Sequence, residues 1–418
     1  MEPSKRAFEL MRKLGYTRVS GSPEELRTAE ALKAEVEAIG LPCTIEDFEV
    51  AGGEVSEARL IVLAPYEKEY PVTGYIRSDS TPDEGLELDF RYVEDCAPVL
   101  MQGAEGMAIM CNQRVTMKSY EKLQKAKPAA IITFNGDMRD SRDIRDINIC
   151  KLREPLSDKF GYNVLINMDV WDAAEMVEMG AERVKLIVKS ERKNVISHNV
   201  CTEIRGTDLP DEIISFGAHY DSVYFSKGVY DNMSGSVINM EVLRYFAENP
   251  PKRTLKFNWF GSEEQGLLGS KAYTKAHEEE LKNHRLMINV DVAGPILGSD
   301  GCATMGADGF VSYVEGLMNE MGLAVNVEDH IYSSDSVPFA DNGVPAVNFV
   351  RSGANGTAYI HNRHDNLELG YMSEKALNKT LHIVLEFSKR MANSVVLPVE
   401  RKISDSMREA VDKYLFRK

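Results

Sequence analysis

Residues 213–221 read IISFGAHYD. Six almost wholly apolar residues, too few for a helix of ordinary length, stop abruptly at His219, Tyr220 and Asp221. A strand covered on both faces has this form, because no solvated face is left to mark by alternation. The pattern recurs downstream. Residues 255–260 read as a strand that runs into Gly261, Ser262, Glu263 and Glu264, residues 286–292 as another that carries Asp291, and residues 346–350 as a fourth. Between and beyond them, 237–246, 267–281, 310–321 and 373–393 show apolar residues at helical spacing. Strand–helix alternation of this kind predicts an α/β fold with right-handed crossovers. Its sheet is mixed and mostly parallel, flanked by helices on both faces.

Upstream, Leu26, Ala29, Leu32, Val36 and Ile39 mark one helical face, and Gly40 follows as a stop. Over 56–192 the character changes. Short apolar runs (60–63, 107–110, 129–134, 164–166, 184–188) are separated by charged loops, of which 136–154 is the most charged. This segment reads as an inserted, mostly β lobe with one or two helices. The expected organisation is a catalytic domain of 1–55 plus 193–400, an insertion of 56–192, and a helical tail over 401–418.

The 418 residues suffice for two cores, and 43% hydrophobic with 27% charged residues is a globular composition. A net charge of −16 disfavours a nucleic-acid partner, and no apolar run approaches the roughly 18 residues of a membrane span. The six cysteines form no CxxC pair, and the amphipathic start MEPSKRAFELMRKLGY has no apolar leader core, so a cytoplasmic location with reduced thiols is expected. The subunit count is not written in the chain, and a homo-oligomer stays open.

In open α/β sheets ligands gather beyond the carboxyl ends of the strands. The residues that follow the apolar runs there are His219, Asp221, Glu263, Glu264 and Asp291; Asp231 opens a helix, and His361 and His364 follow a Gly-containing turn. Singly each has an ordinary reading. A histidine at a strand end is common, Asp231 is a plausible helix N-cap, and Glu263–Glu264 suit the first turn of a helix. Together on one rim they compose a cage. Two histidines and three carboxylates supply two metal sites with a shared ligand, and Glu263 remains as a general base.

The stretches GAHYDSV (217–223), GVYDNMSG (228–235), WFGSEEQGLLGSKAY (259–273), INVDVAG (288–294), SDSVPFADNGVPAV (334–347) and IHNRHDN (360–366) resemble peptidase family M28. The resemblance implies a zinc-peptidase fold and, for 56–192, a protease-associated-like domain. It implies His219 and Asp291 on one Zn²⁺, Glu264 and His361 on a second, and Asp231 bridging, with Co²⁺ or Mn²⁺ as substitutes. Glu263 is the implied base, and Asp221 would orient His219 through its other ring nitrogen. Asp365 selects His361 over His364. A cis peptide after Asp231 is implied as well. One position departs from the family pattern: Ile360 stands where a tyrosine that assists the oxyanion is usual, with Tyr359 one residue earlier.

The implied function is removal of N-terminal residues from peptides. A carboxypeptidase or dipeptidase of the same family would need a cation for the substrate carboxylate, for which Arg351 and Arg363 are the candidates. A single-zinc acyltransferase of the glutaminyl-cyclase type would not need the paired ligand set. A non-enzymatic binding protein of the same fold would be expected to have lost ligands.

Overall fold

The apolar run at 213–218 is the middle of a strand, Leu209–His219, and the other apolar runs lie beside it. The computed structural model describes residues 2–112 and 115–417, which separate into two units, Met1–Val50 with Ile196–Lys418 and Ala51–Val195. In the first unit the sheet order is Asn326–Asp329, Gly298–Met305, Ala346–Gly353, His284–Val290, Leu209–His219, Arg253–Phe260 and the end of Arg183–Ile204. The central strands are parallel: His284–Val290 pairs with both Ala346–Gly353 and Leu209–His219, and the latter with Arg253–Phe260. Gly298–Met305 runs antiparallel to Ala346–Gly353.

Alternation along these strands sends side chains into two cores. Phe216, Ile288 and Val347 join Met11, Leu243 and Phe387 from the helices Pro3–Leu14, Ser234–Glu248 and Glu374–Asn393. Phe260, Met287 and Ala346 point the other way, to Tyr273, Phe339 and Val411 of Leu268–Ala276, Ser336–Asp341 and Asp405–Tyr414. Helices therefore cover both faces, as two-sided apolar strands require. The helix Glu374–Asn393 shows how one such element is specified. Ser373 caps it by accepting the Ala376 amide (3.1 Å), and Leu377, Leu381, Val384, Phe387 and Met391 form its buried stripe. Each such side chain contributes about 1.5–3 kcal/mol of burial. Near the end of the chain Asp405–Tyr414 is a helix, and Met407 and Val411 bury it in the second core.

The second unit centres on a parallel ladder of Leu86–Tyr92, Ala108–Met110, Ala130–Asn135 and Val164–Asp169, with antiparallel neighbours at both edges. Three helices, Met117–Lys125, Glu154–Phe160 and Val170–Glu178, accompany it, one or two more than the sequence suggests. Among the described residues no helix is long and apolar enough to cross a membrane.

Close backbone approach fixes the turn after Arg253–Phe260. A Cβ on Gly269 would lie 2.2 Å from the Gly261 carbonyl and 2.6 Å from Asn199 Oδ1. Asn199 is itself tied to both sides, donating to the Gly269 carbonyl and accepting from the Gly261 amide. Gly269→Ala is expected to destabilise the fold by about 1–3 kcal/mol, the usual cost of forcing extra volume into a packed interior. A urea midpoint unchanged from wild type would contradict this packing.

Candidate metal centre

Each side chain at the strand ends is placed by a different element. His219 is the last residue of its strand, Glu263 and Glu264 follow Phe260, and Asp291 follows Val290. Asp231 lies in the irregular turn Val229–Met233 that leads into Ser234–Glu248, and its peptide bond to Asn232 is cis. His361, at φ 56°, lies in the loop before Glu374–Asn393.

The six side chains converge. His219 Nε2 is 3.1 Å from Asp231 Oδ1, 3.7 Å from Asp291 Oδ1 and 3.8 Å from Glu263 Oε2. His361 Nε2 is 3.0 Å from Asp231 Oδ2 and 2.9 Å from Glu264 Oε2. Two groups of three potential ligand atoms result, His219–Asp231–Asp291 and Asp231–Glu264–His361, which share Asp231 through its two oxygens. Ligands about 2.0–2.2 Å from one tetrahedral Zn²⁺ stand roughly 3.3–3.6 Å apart. The donor types and spacing thus fit an ion in each group. His219, Asp231, Glu264 and Asp291 are buried, and the His361 side chain is 36% exposed, so the second group is the more open. His364 is in neither group; its ring lies against Tyr359.

Electrostatics point the same way. Burial opposes charge on both imidazoles, yet Glu263, Asp221, Asp231 and Asp291 raise His219 well above its ordinary value. Against the same penalty, Glu264 and Asp231 bring His361 up to about 11. Burial pushes the Glu263 and Glu264 carboxyls up, and nearby acids add to it. At Asp231 burial is outweighed by the two imidazoles, which hold it below the usual range. Asp335 and Asp365, both fully buried, rise to about 7 chiefly through desolvation. Crowded buried acid is costly without a counter-cation, and a metal bound here would release the protons that stand in for it.

Behind the cage lies a layer that the sequence reading saw only in part. Asp221 Oδ1 is 3.4 Å from His219 Nδ1, on the side expected. The Asp221 carboxylate also accepts the amides of Glu263 at Oδ1 (3.0 Å) and Glu264 at Oδ2 (3.3 Å), so it fixes the His and the acid pair together. Asp365 accepts the amides of Tyr230 (2.7 Å) and Asp231 (3.1 Å), which holds the bridging residue from the loop that carries His361. Arg18, wholly buried, donates to the carbonyls of Tyr220 (2.6 Å), Lys227 (2.7 Å) and Gly228 (2.9 Å) as well as those of Leu14 and Tyr16. It thereby fastens the 227–228 backbone beside Asp231. No pattern in the sequence marks Arg18; it sits in an unremarkable turn between two helices. Arg351 is occupied, its guanidinium on Asp300 (2.6 Å) and the carbonyls of Pro295 and Ile296. Arg363 is half-buried in the loop between the two histidines.

Residues 199–388 match the sequence model of peptidase family M28. A probable leucine aminopeptidase 2 from Aspergillus oryzae is 31% identical over 192 residues, 43% of this chain but only 36% of that protein. The chain therefore spans about a third of that relative. Carboxypeptidase Q from Bos taurus is 23% identical over 86% of this chain and 79% of its own length. In three dimensions a zinc aminopeptidase from Bacillus subtilis superposes with a TM-score of 0.78, covering 97% of this chain and 98% of its own, at 20% identity. That likeness is one of fold.

The two histidines offer a direct check. His361→Ala is expected to bind less Zn²⁺ per chain than wild type, whereas His364→Ala keeps the wild-type content, as read by metal analysis after dialysis. Equal loss in the two variants would reject His361 as the ligand.

Proposed function

We propose that this chain, a member of peptidase family M28 through residues 199–388, is a zinc aminopeptidase that works with two metal ions. The observation that carries the reading is the pair of donor groups joined through the two oxygens of Asp231. His219 and Asp291 would hold one Zn²⁺, Glu264 and His361 the other, with Asp231 between them. Zn²⁺ bound there would supply Lewis acidity toward a scissile carbonyl and toward water.

The protein's own groups do the rest. Glu263 is left outside both donor groups, with its side chain 3.8 Å from His219 Nε2, and takes the proton of the attacking water. It then hands that proton to the departing amine, so the base ends the cycle ready for the next. Asp221 holds the amides of Glu263 and Glu264 together, which keeps base and ligand in fixed relation. Acid in excess around the donors suits a substrate ammonium. The engagement of Arg351 by Asp300 leaves that cation unsuited to a substrate carboxylate, which favours amino- over carboxypeptidase action.

Chelation is expected to abolish hydrolysis of aminoacyl p-nitroanilides, and added Zn²⁺ or Co²⁺ to restore it. N-acetylated substrates should remain uncut. Cleavage from the carboxyl end instead would move the assignment to carboxypeptidase. Glu263→Gln should lower kcat by about 10²–10⁴-fold with both metals retained, whereas Glu264→Gln should lose metal. The reverse pattern would exchange the roles of the two acids.

A further inference from the structure

The helix Pro23–Ala38 opens on Ser22-Pro23-Glu24-Glu25, the spacing of a capping box, and Ser22 caps it by accepting the Glu25 amide (3.1 Å). The reciprocal half of that box is not made. A capping-box glutamate turns back to the amide of the cap residue, but the Ser22 amide is taken here by the Val19 carbonyl (2.9 Å). Glu25 is wholly buried instead. One of its carboxyl oxygens accepts the Gly21 amide (2.7 Å), and the other accepts the Ser197 hydroxyl. Burial pushes this carboxyl up to about 8 against the pull of those hydrogen bonds, so the acid is held inside at a cost that a helix cap alone does not require.

From Ser197 the hydroxyls continue to the turn that carries Glu263. Ser262 donates to Ser197 Oγ (2.7 Å), and Ser20 is hydrogen-bonded to Ser262 in turn. Glu25, Ser197 and Ser262 are all without solvent exposure. The Glu25 carboxyl also lies directly on the backbone of this turn: a Cβ on Gly261 would come within 2.5 Å of Glu25 Oε1 and 2.8 Å of Ser197 Oγ. Ser262 itself has φ 56°, a left-handed conformation that a residue with a Cβ keeps only where its surroundings over-determine it. Its carbonyl accepts the Leu268 amide (3.1 Å), and the Glu263 carbonyl accepts those of Gly266 and Leu267 (both 2.8 Å). The conformation at 262 therefore sets the direction in which the chain, and Glu263 with it, leaves the strand Arg253–Phe260.

We propose that Glu25 is a positioning residue for the general base: through Ser197 it holds Ser262 in its left-handed conformation and so aims the Glu263 carboxylate at the two donor groups. The inference rests on the peptidase reading above, in which Glu263 is the base. Asp221 fixes the Glu263 amide, and Glu25 fixes the residue before it. Glu25 takes no proton from the reaction; it acts through the two serines.

Ser197→Ala cuts the chain of hydroxyls and leaves Glu25 in place, whereas Glu25→Met removes the acceptors at the same side-chain length. Each is expected to lower kcat by about 10–10²-fold, the scale of a misplaced catalytic group, with KM and zinc content as in wild type. Glu25→Gln, which can still bond to both Gly21 and Ser197, should stay near wild type. In a Glu263→Gln background, where the base is already lost, Ser197→Ala should cost nothing further. Hydrogen exchange gives a reading independent of turnover: the amides of 266–268 should exchange faster in Ser197→Ala than in wild type. Should Glu25→Met fail to fold, Ser197→Ala carries the test. Full kcat and unchanged exchange in Ser197→Ala, loss of activity that follows loss of zinc, or an equal loss in the Glu263→Gln background overturns the positioning role alone. Zinc-loaded wild type that cleaves no peptide overturns the peptidase reading and this inference with it.

Discussion

Asp231 has to present one oxygen to each of two imidazoles, Oδ1 to His219 and Oδ2 to His361, and a carboxylate can do so in only a narrow range of orientations. Much of the neighbouring chain is organised to keep it there. Its amide is held by Asp365 and the preceding turn by Arg18. On the far side Asn232 binds the Val290 carbonyl and accepts the amides of Gly235 and Val292, while Ser234 accepts the amide of Ala293. The turn that carries Asp231 is thus stitched to the strand end that carries Asp291. Fixing this one side chain fixes the distance between the two donor groups.

The same layer handles the charge. Asp221 and Asp365 lie fully inside the protein, and each accepts the amide of a proposed ligand, Glu264 and Asp231 respectively, and that of the residue before it. Amide donors are worth most to a carboxylate where water is absent. Arg18 is the cation of this layer, and it spends its donors on five carbonyls, not on an acid. Its field still reaches Asp365 and Asp221, whose charges counter the desolvation that brings Arg18 down to about 10. The positive charge inside the cage is that of His219 and His361, whose protons a divalent ion would displace.

The parts of this arrangement that sequence made visible are those in which a single residue type answers to a single local demand. Strands at 209–219, 253–260, 284–290 and 346–353 are apolar because both faces are covered, and the histidine and acids at the ends of the first three runs compose the candidate site. Gly298–Met305 escaped notice because its sequence, GSDGCATM, places a charge and two glycines in a strand. Asp300 is tolerated there only through Arg351, Lys379 and Thr380, all distant in sequence. The expected helix over 267–281 is interrupted at His277, whose ring stacks on Tyr273 and meets Glu46 from another part of the chain. Arg18 and the amide-holding role of Asp365 were illegible for the same reason: their partners are backbone groups, which leave no mark in a sequence.

On the proposed peptidase reading, the end of a peptide that the centre would receive depends on what the nearby cations are already doing. A substrate carboxylate entering this site would need a partner stronger than the water it leaves. Arg18 is closed off by carbonyls beneath the surface, and Arg351 is locked to Asp300, which Lys379 also approaches at 3.1 Å. Releasing Arg351 would leave the almost wholly buried Asp300 with only Lys379 and Thr380, so the ion pair resists being opened for a ligand. An ammonium meets the opposite situation. Glu264 Oε2 stands 2.9 Å from Nε2 of the part-exposed His361, whereas Glu263 lies by the buried His219; burial raises both carboxyls, and a cation near them would favour their ionised forms. On the aminopeptidase reading proposed above, the engagement of Arg351 by Asp300 argues against its use for a substrate carboxylate.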